Sequence, residues 1–201
     1  MTLLALVRHA ESTYNAEGIW AGQTDVPLSQ KGEQESKEMG RTLRELSPDT
    51  NWELFVTPLV RTQKTAALAI ESGGLHIRGL VVVPALTERD YGKYVGLNKW
   101  EVKDQVGEEQ FREIRRSFRF PIEGGESLSQ VYDRVVAWYL EIAEPLLTSG
   151  VDILIVAHCN SLRALIKYIE NMSDEAIEDF ELATGIPRIY ESIEKKLYLK
   201  L

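Results

Sequence analysis

Val151-Asp152-Ile153-Leu154-Ile155-Val156-Ala157-His158-Cys159-Asn160-Ser161 decides the fold class. Its first seven residues are an almost unbroken apolar run, whereas a strand with one wet face alternates, so 151–157 reads as a strand buried on both sides. Residues 161–170 then place Leu162, Leu165, Ile166 and Ile169 on one side of a helix. Working outward, residues 3–7, 52–56 and 79–84 give three further short apolar runs. Helical stretches separate them: 29–45 with Ser29 as N-cap, 60–70, and two short patches between 98 and 118. After Gly124-Gly125-Glu126-Ser127, apolar residues recur at helical spacing from Val131 through Val135, Trp138, Ile142 and Leu146. Two late strands, 188–193 and 196–201, are expected to pair as a hairpin or to join a sheet edge. Strands alternating with helices predict an α/β three-layer sandwich, a mostly parallel sheet with helices on both faces. No repeat or linker interrupts the pattern, so residues 1–201 are expected to form one domain.

Composition narrows the function classes. Of 201 residues, 44% are hydrophobic and 27% charged, which suits a packed soluble protein, and no apolar run approaches the ~20 residues a membrane helix requires. Met1-Thr2-Leu3-Leu4-Ala5-Leu6-Val7-Arg8 lacks the basic lead-in and cleavage site of a signal peptide. Cys159 is the single cysteine, so no internal disulfide or paired-cysteine zinc site is expected, and the setting read from this is cytoplasmic. A formal charge of -8 repels nucleic acid and anionic membranes, so neither is an expected partner. An anionic ligand would need a local basic pocket, which makes the arginines the residues to follow.

In a parallel sheet, ligands bind at the carboxyl ends of the strands. There the chain carries Arg8-His9-Ala10-Glu11-Ser12, Thr57 followed by Arg61, Glu88-Arg89, and His158-Cys159-Asn160-Ser161. Two histidines, arginines and a glutamate would then meet on one rim. Phosphoryl transfer needs donors for the equatorial oxygens, an in-line nucleophile and an acid for the leaving oxygen. Arginine forks suit the oxygens, a neutral imidazole can attack phosphorus, and a carboxylic acid can protonate the leaving group. No metal enters this scheme, and a cation held by His9, His158 and Glu88 would be opposed by the neighbouring arginines.

These residues resemble a known family. Leu6-Val7-Arg8-His9-Ala10-Glu11-Ser12 with Asn15, and Leu28-Ser29-Gln30-Lys31-Gly32, look like the opening signature of the histidine phosphatase superfamily. Glu88-Arg89-Asp90-Tyr91-Gly92, Gly96-Leu97-Asn98-Lys99, Arg115-Arg116-Ser117-Phe118, Asn160-Ser161-Leu162-Arg163-Ala164-Leu165 and Ala183-Thr184-Gly185-Ile186-Pro187 resemble its cofactor-dependent phosphoglycerate mutases, in their short bacterial form. The resemblance implies interconversion of 3- and 2-phosphoglycerate, a step of glycolysis and gluconeogenesis, with 2,3-bisphosphoglycerate as priming donor and no metal. It implies His9 as phosphorylated nucleophile, Arg8, Arg61 and His158 as phosphoryl holders, and Glu88 as general acid and base. Asn15, Gly22 and Asn160 would complete that pocket, while Arg89, Tyr91, Lys99, Arg115 and Arg116 would hold the substrate's carboxylate and second phosphate. The family also points to a homodimer.

The chain departs from the mutase pattern at several places. Ala10 stands for glycine, Trp20-Ala21-Gly22-Gln23-Thr24-Asp25 is closer to the family's phosphatases, and Thr57 and Thr62 replace serine and alanine. Cys159 replaces a glycine, where a positive backbone angle is easily imagined. It lacks the glycine-containing phosphate loop that a cysteine nucleophile requires. The connection from Arg115-Arg116 through Phe120-Pro121-Ile122-Glu123-Gly124-Gly125 to the next helix is short, which predicts a less closed site and phosphatase side activity. A phosphatase of the same fold, with water as acceptor, is therefore the second reading, and a catalytically silent phosphate-binding module the third. His76 is expected in a turn, Trp52, Trp100 and Trp138 in the core, and the acidic residues Asp174, Glu175, Glu178 and Asp179 on a solvated helix face.

Overall fold

The two most apolar runs form the centre of the sheet. β1 (Thr2–Arg8) and β4 (Ile153–Ala157) lie parallel, Leu4 opposite Ile153 and Arg8 opposite Ala157. The structure is a computed structural model and describes residues 2–194 and 196–201. β2 (Asn51–Val56) pairs with the other side of β4, and β3 (His76–Val82) with the outer side of β2, all parallel. β5 (Pro187–Ile193) runs antiparallel beside β1, and β6 (Lys196–Leu199) folds back along β5, giving the order β3-β2-β4-β1-β5-β6. The late strands thus do both things expected of them, since they form a hairpin and that hairpin makes one edge. β3 starts at His76, so this residue is exposed on an edge strand and not in a turn.

Alternate residues of the central strands feed two cores, which is why these strands are apolar throughout. Ala5, Val7, Leu54, Val56, Leu154 and Val156 pack with Trp52, Met39, Leu43 and Ala69 under α2 (Gln30–Leu46) and α3 (Val60–Gly73). Leu4, Leu6, Phe55, Ile153 and Ile155 face the opposite way, toward α6 (Leu128–Trp138), a π-helical turn at Tyr139–Ala143, α7 (Glu144–Thr148) and α8 (Cys159–Ile169). Ser29 caps α2 by accepting from the Gly32 amide, and α3 stops at Gly74, whose φ is +57°. α2 and α3 touch backbone to backbone: a Cβ added at Gly40 would lie 2.2 Å from the Ala69 carbonyl oxygen, and one at Gly73 2.2 Å from that of Gly40.

The smaller elements border the carboxyl ends of the parallel strands. They are α1 (Thr13–Ala16), α4 (Lys99–Val106), α5 (Glu108–Arg116) and α9 (Asp174–Asp179). Trp20, Tyr91, Tyr94, Val102, Phe111, Ile114 and Ile122 make a separate apolar cluster that fixes α4 and α5. Trp52 is fully buried and Trp138 packs against the main core, but Trp100 is 55% exposed on α4. The acidic run is also not merely solvated. Asp174 binds Arg119 and Lys167, and Asp179 binds Arg112, so α9 is tied to α5 and the chain after it.

Candidate active site

Because β1 and β4 are adjacent, parallel and in register, the residues following them must meet. The His9 amide donates to the Ala157 carbonyl at 2.9 Å, and the His9 and His158 rings lie 5.0 Å apart, edge to face. His9 Nδ1 is 2.7 Å from the Ala10 carbonyl oxygen, which only accepts, so Nδ1 carries the hydrogen and Nε2 the lone pair. His158 Nε2 is 2.9 Å from Thr57 Oγ1, and its Nδ1 is buried without a partner among the described residues. Burial holds both imidazoles well below the ordinary range. The charges of Arg61 and Arg8 lower His9 further, while His158 is lowered next by His9 and then by the same two arginines.

The arginines differ in how they are held. Arg61 is buried, with Nη1 donating to Thr24 O at 2.7 Å and Nη2 to Gly22 O at 2.8 Å, so it braces the 22–24 loop while lining the cleft. Arg8 Nη1 donates to Leu182 O, and its buried Nε has no partner among the described residues. Asn15 Oδ1 is taken by Ser12 in a capping box, which leaves its amide nitrogen as the donor. Glu88 Oε1 accepts from the Arg89 amide at 2.8 Å, the Asn160 amide at 3.2 Å and Asn160 Nδ2 at 3.1 Å. Lys99, at the start of α4, is brought down to about 8 by burial and by the charges of Arg115 and Arg8.

One cleft gathers Arg8, His9, Asn15, Gly22, Arg61, Glu88, Tyr91, Lys99, Arg115, Arg116 and Asn160. His158 lies behind its wall against His9. Arg89 does not line it. Fully buried, Arg89 donates from Nε to Glu126 O, from Nη1 to Ile114 O and from Nη2 to Phe120 O, so every nitrogen of its guanidinium is spent holding the 114–126 segment. The expectation that it holds the substrate's anionic groups is corrected by this geometry, because its donors are already taken by backbone carbonyls. Cys159 lines the cleft as the first residue of α8, in helical conformation and not at a positive backbone angle. Two charged lining residues were missed. Arg163, three positions after Asn160 on the first turns of α8, is recoverable from helical spacing, whereas Glu181, paired with Arg116, carries no sequence signal.

The cleft therefore sets six cationic side chains, Arg8, Arg61, Lys99, Arg115, Arg116 and Arg163, against Glu88 and Glu181, within a chain of net charge -8. Such a site attracts a small polyanion, and its buried unpartnered donors suit phosphate oxygens. The profile of the histidine phosphatase superfamily (branch 1) matches residues 4–200. The chain is 40% identical over 195 residues to the 2,3-bisphosphoglycerate-dependent phosphoglycerate mutase of Cytophaga hutchinsonii, covering 97% of this chain and 90% of that one. It is 35% identical to phosphoglycerate mutase 1 of Arabidopsis thaliana, covering 93% of this chain but only 63% of that longer protein. Among solved structures, YhfR of Bacillus stearothermophilus superposes with a TM-score of 0.84 at 20% identity, covering 100% of this chain and 96% of that one. The alpha-ribazole phosphatase of Shigella flexneri does so at 0.80 and 22%, covering 100% and 95%.

Proposed function

The chain belongs to the histidine phosphatase superfamily, and on that premise we propose that it interconverts 3-phosphoglycerate and 2-phosphoglycerate through a phosphorylated His9. The observation that carries this reading is a cleft with more cations than one phosphoryl group requires. Arg8 and Arg61 attend His9, while Lys99, Arg115 and Arg116 supply a further set in the same cleft. A hydrolase needs only the first set. A mutase must hold a substrate with two anionic ends and let it exchange them, and so uses both.

In the donor step, His9 Nε2 forms a bond to phosphorus, the bond to the leaving oxygen breaks, and that oxygen takes its electron pair and a proton from Glu88. In the acceptor step, Glu88 as carboxylate removes the proton from the attacking hydroxyl, phosphorus bonds to that oxygen, and Nε2 recovers its lone pair. The depressed basicity of His9 keeps the attacking nitrogen unprotonated. A Thr57 hydroxyl that donates to His158 Nε2 would put the ring hydrogen on Nδ1 and make that nitrogen a donor for a phosphoryl oxygen. When bound, 2,3-bisphosphoglycerate supplies the priming phosphoryl group. Arg8, Arg61, Lys99, Arg115 and Arg116, with an Arg8 Nε that is unpartnered among the described residues, fit its charge.

Hydrolysis is the second reading, favoured by the short connection from α5 to α6, which leaves less chain to exclude water. We also place the protein in the cytoplasm, with its one cysteine reduced, as one domain that assembles as a homodimer. An unpaired β3 edge with Leu80, Val81 and Val82 exposed supports the dimer. The deciding experiment follows 2-phosphoglycerate and free phosphate from 3-phosphoglycerate, with and without trace 2,3-bisphosphoglycerate. Fast isomerisation that depends on the bisphosphate, abolished in His9→Ala, is expected. Phosphate release with little isomerisation would transfer the assignment to the phosphatase reading, and full activity in His9→Ala would end both.

A further inference from the structure

We propose that Arg163 is a positioning residue that decides which oxygen of Glu88 carries the transferable proton. The inference rests on the phosphoryl-transfer reading above. Three N–H groups converge on Glu88 Oε1: the backbone amides of Arg89 and Asn160, at 2.8 and 3.2 Å, and Asn160 Nδ2 at 3.1 Å. An oxygen so occupied has no room for an outward hydrogen, which assigns the proton to Oε2. In the donor step this proton passes from Oε2 to the leaving oxygen as the phosphorus–oxygen bond breaks, and Glu88 is left as carboxylate.

Two of the three donors are backbone and cannot turn. The third is a side-chain amide, and half a rotation would bring its Oδ1 toward Glu88 in place of Nδ2. Arg163 forbids that rotation. Its Nη1 donates to Asn160 Oδ1 at 3.0 Å, and a guanidinium has no acceptor to offer in exchange. Asn160 Nδ2 must then face Glu88 and the Tyr91 hydroxyl, which it meets at 3.0 Å. Arg163 is itself immobile, 1% exposed, with Nη2 donating to the carbonyls of Ile177 and, at 3.3 Å, Arg116. With the amide reversed, Oδ1 would confront Oε1, the proton would be drawn between those two oxygens, and the leaving group would depart without it.

The test separates proton delivery from everything else by changing the leaving group. His9 phosphorylation is followed in single turnovers of wild type, Arg163→Lys and Arg163→Met at saturating concentrations of each of two donors, so that binding does not enter the rate. One is 2,3-bisphosphoglycerate, which releases an alkoxide, and the other p-nitrophenyl phosphate, whose phenolate needs little protonation. General acid catalysis contributes about 10²- to 10⁴-fold, so Arg163→Met is expected to lose about 10- to 100-fold with the bisphosphate and under about 3-fold with the aryl ester. Arg163→Lys, also a pure donor, recovers most of the loss. Equal losses with both donors, or no recovery by lysine, would overturn the proposal in favour of a structural role. If Arg163→Met does not fold, Arg163→Gln carries the same expectation, because its amide offers an acceptor as well as donors. A wild type that forms no phosphohistidine with either donor overturns the functional reading itself, a result distinct from any of these.

Discussion

His9 and His158 are both fully buried, both beside Arg61 and Arg8, and both held neutral. Their folded pKa values lie below the ordinary 6.5, so in acid the unfolded chain binds protons that the folded chain refuses. Their contribution to stability is full above about pH 6.5 and is lost as pH falls from there toward the folded values, at up to about 1.4 kcal/mol per pH unit for each histidine. Urea unfolding between pH 7 and 5.5, above the carboxylate range, should show this loss, and His158→Gln should reduce its slope by about half. A flat profile in wild type would contradict the assigned protonation states. The same scale shows what a linear reading catches. His9, Arg61, Glu88 and His158 follow strands, and strand ends in a parallel sheet share a rim, so their meeting is legible from order alone. Arg89 and Arg163 are not distinguishable that way. Arg163 lines the cleft from the first turns of α8, a position that helical spacing from Asn160 could have found, whereas Arg89 spends its donors on three carbonyls of the 114–126 segment because of how that loop wraps it, which no spacing encodes.

At the scale of elements, hydrophobic pattern predicted the parallel strands and the main helices within a few residues, with Ser29 and Ser127 acting as caps. It was weakest for β3, whose first half, His76-Ile77-Arg78-Gly79, lies on the sheet edge without an apolar run to announce it. The α2–α3 contact was likewise invisible, because a glycine inside a helical pattern reads as a weakness when it is here a condition of packing. Gly40→Ala tests this. Helix propensity favours alanine by about 1 kcal/mol, yet the new Cβ would lie 2.2 Å from a carbonyl oxygen of α3, 2.6 Å from the Ala69 Cα and 2.7 Å from its carbonyl carbon. Overpacking costs about 1–3 kcal/mol and a Cβ this close to rigid backbone belongs at the upper end, so net destabilisation of about 2 kcal/mol is expected in denaturant melts. An unchanged or raised stability would show that the two helices move apart freely.

For the molecule as a whole, β3 is the exposed liability. Its outer edge has unpaired backbone groups, and Leu80, Val81 and Val82 are 56, 43 and 46% exposed, a pattern natural edge strands usually avoid with charge. Pairing with a second copy along this edge would remove it. Light scattering should therefore give twice the chain mass at micromolar concentration, and Leu80→Lys with Val82→Lys should give monomers that still phosphorylate His9. A monomeric wild type would refute the assembly. The opposite part of the sheet has a different consequence. β1, whose last residue precedes His9, is flanked in the sheet by β4 and β5, and the Leu3 amide reaches Asp152, 149 residues along the chain. At a ribosomal rate of roughly 5–20 residues per second, that strand waits on the order of ten seconds after emerging before either neighbour exists. A strand that leaves the ribosome well before both of its neighbours is thus ordered late, and in a nascent chain His9 has no His158 to meet until β4 has been translated.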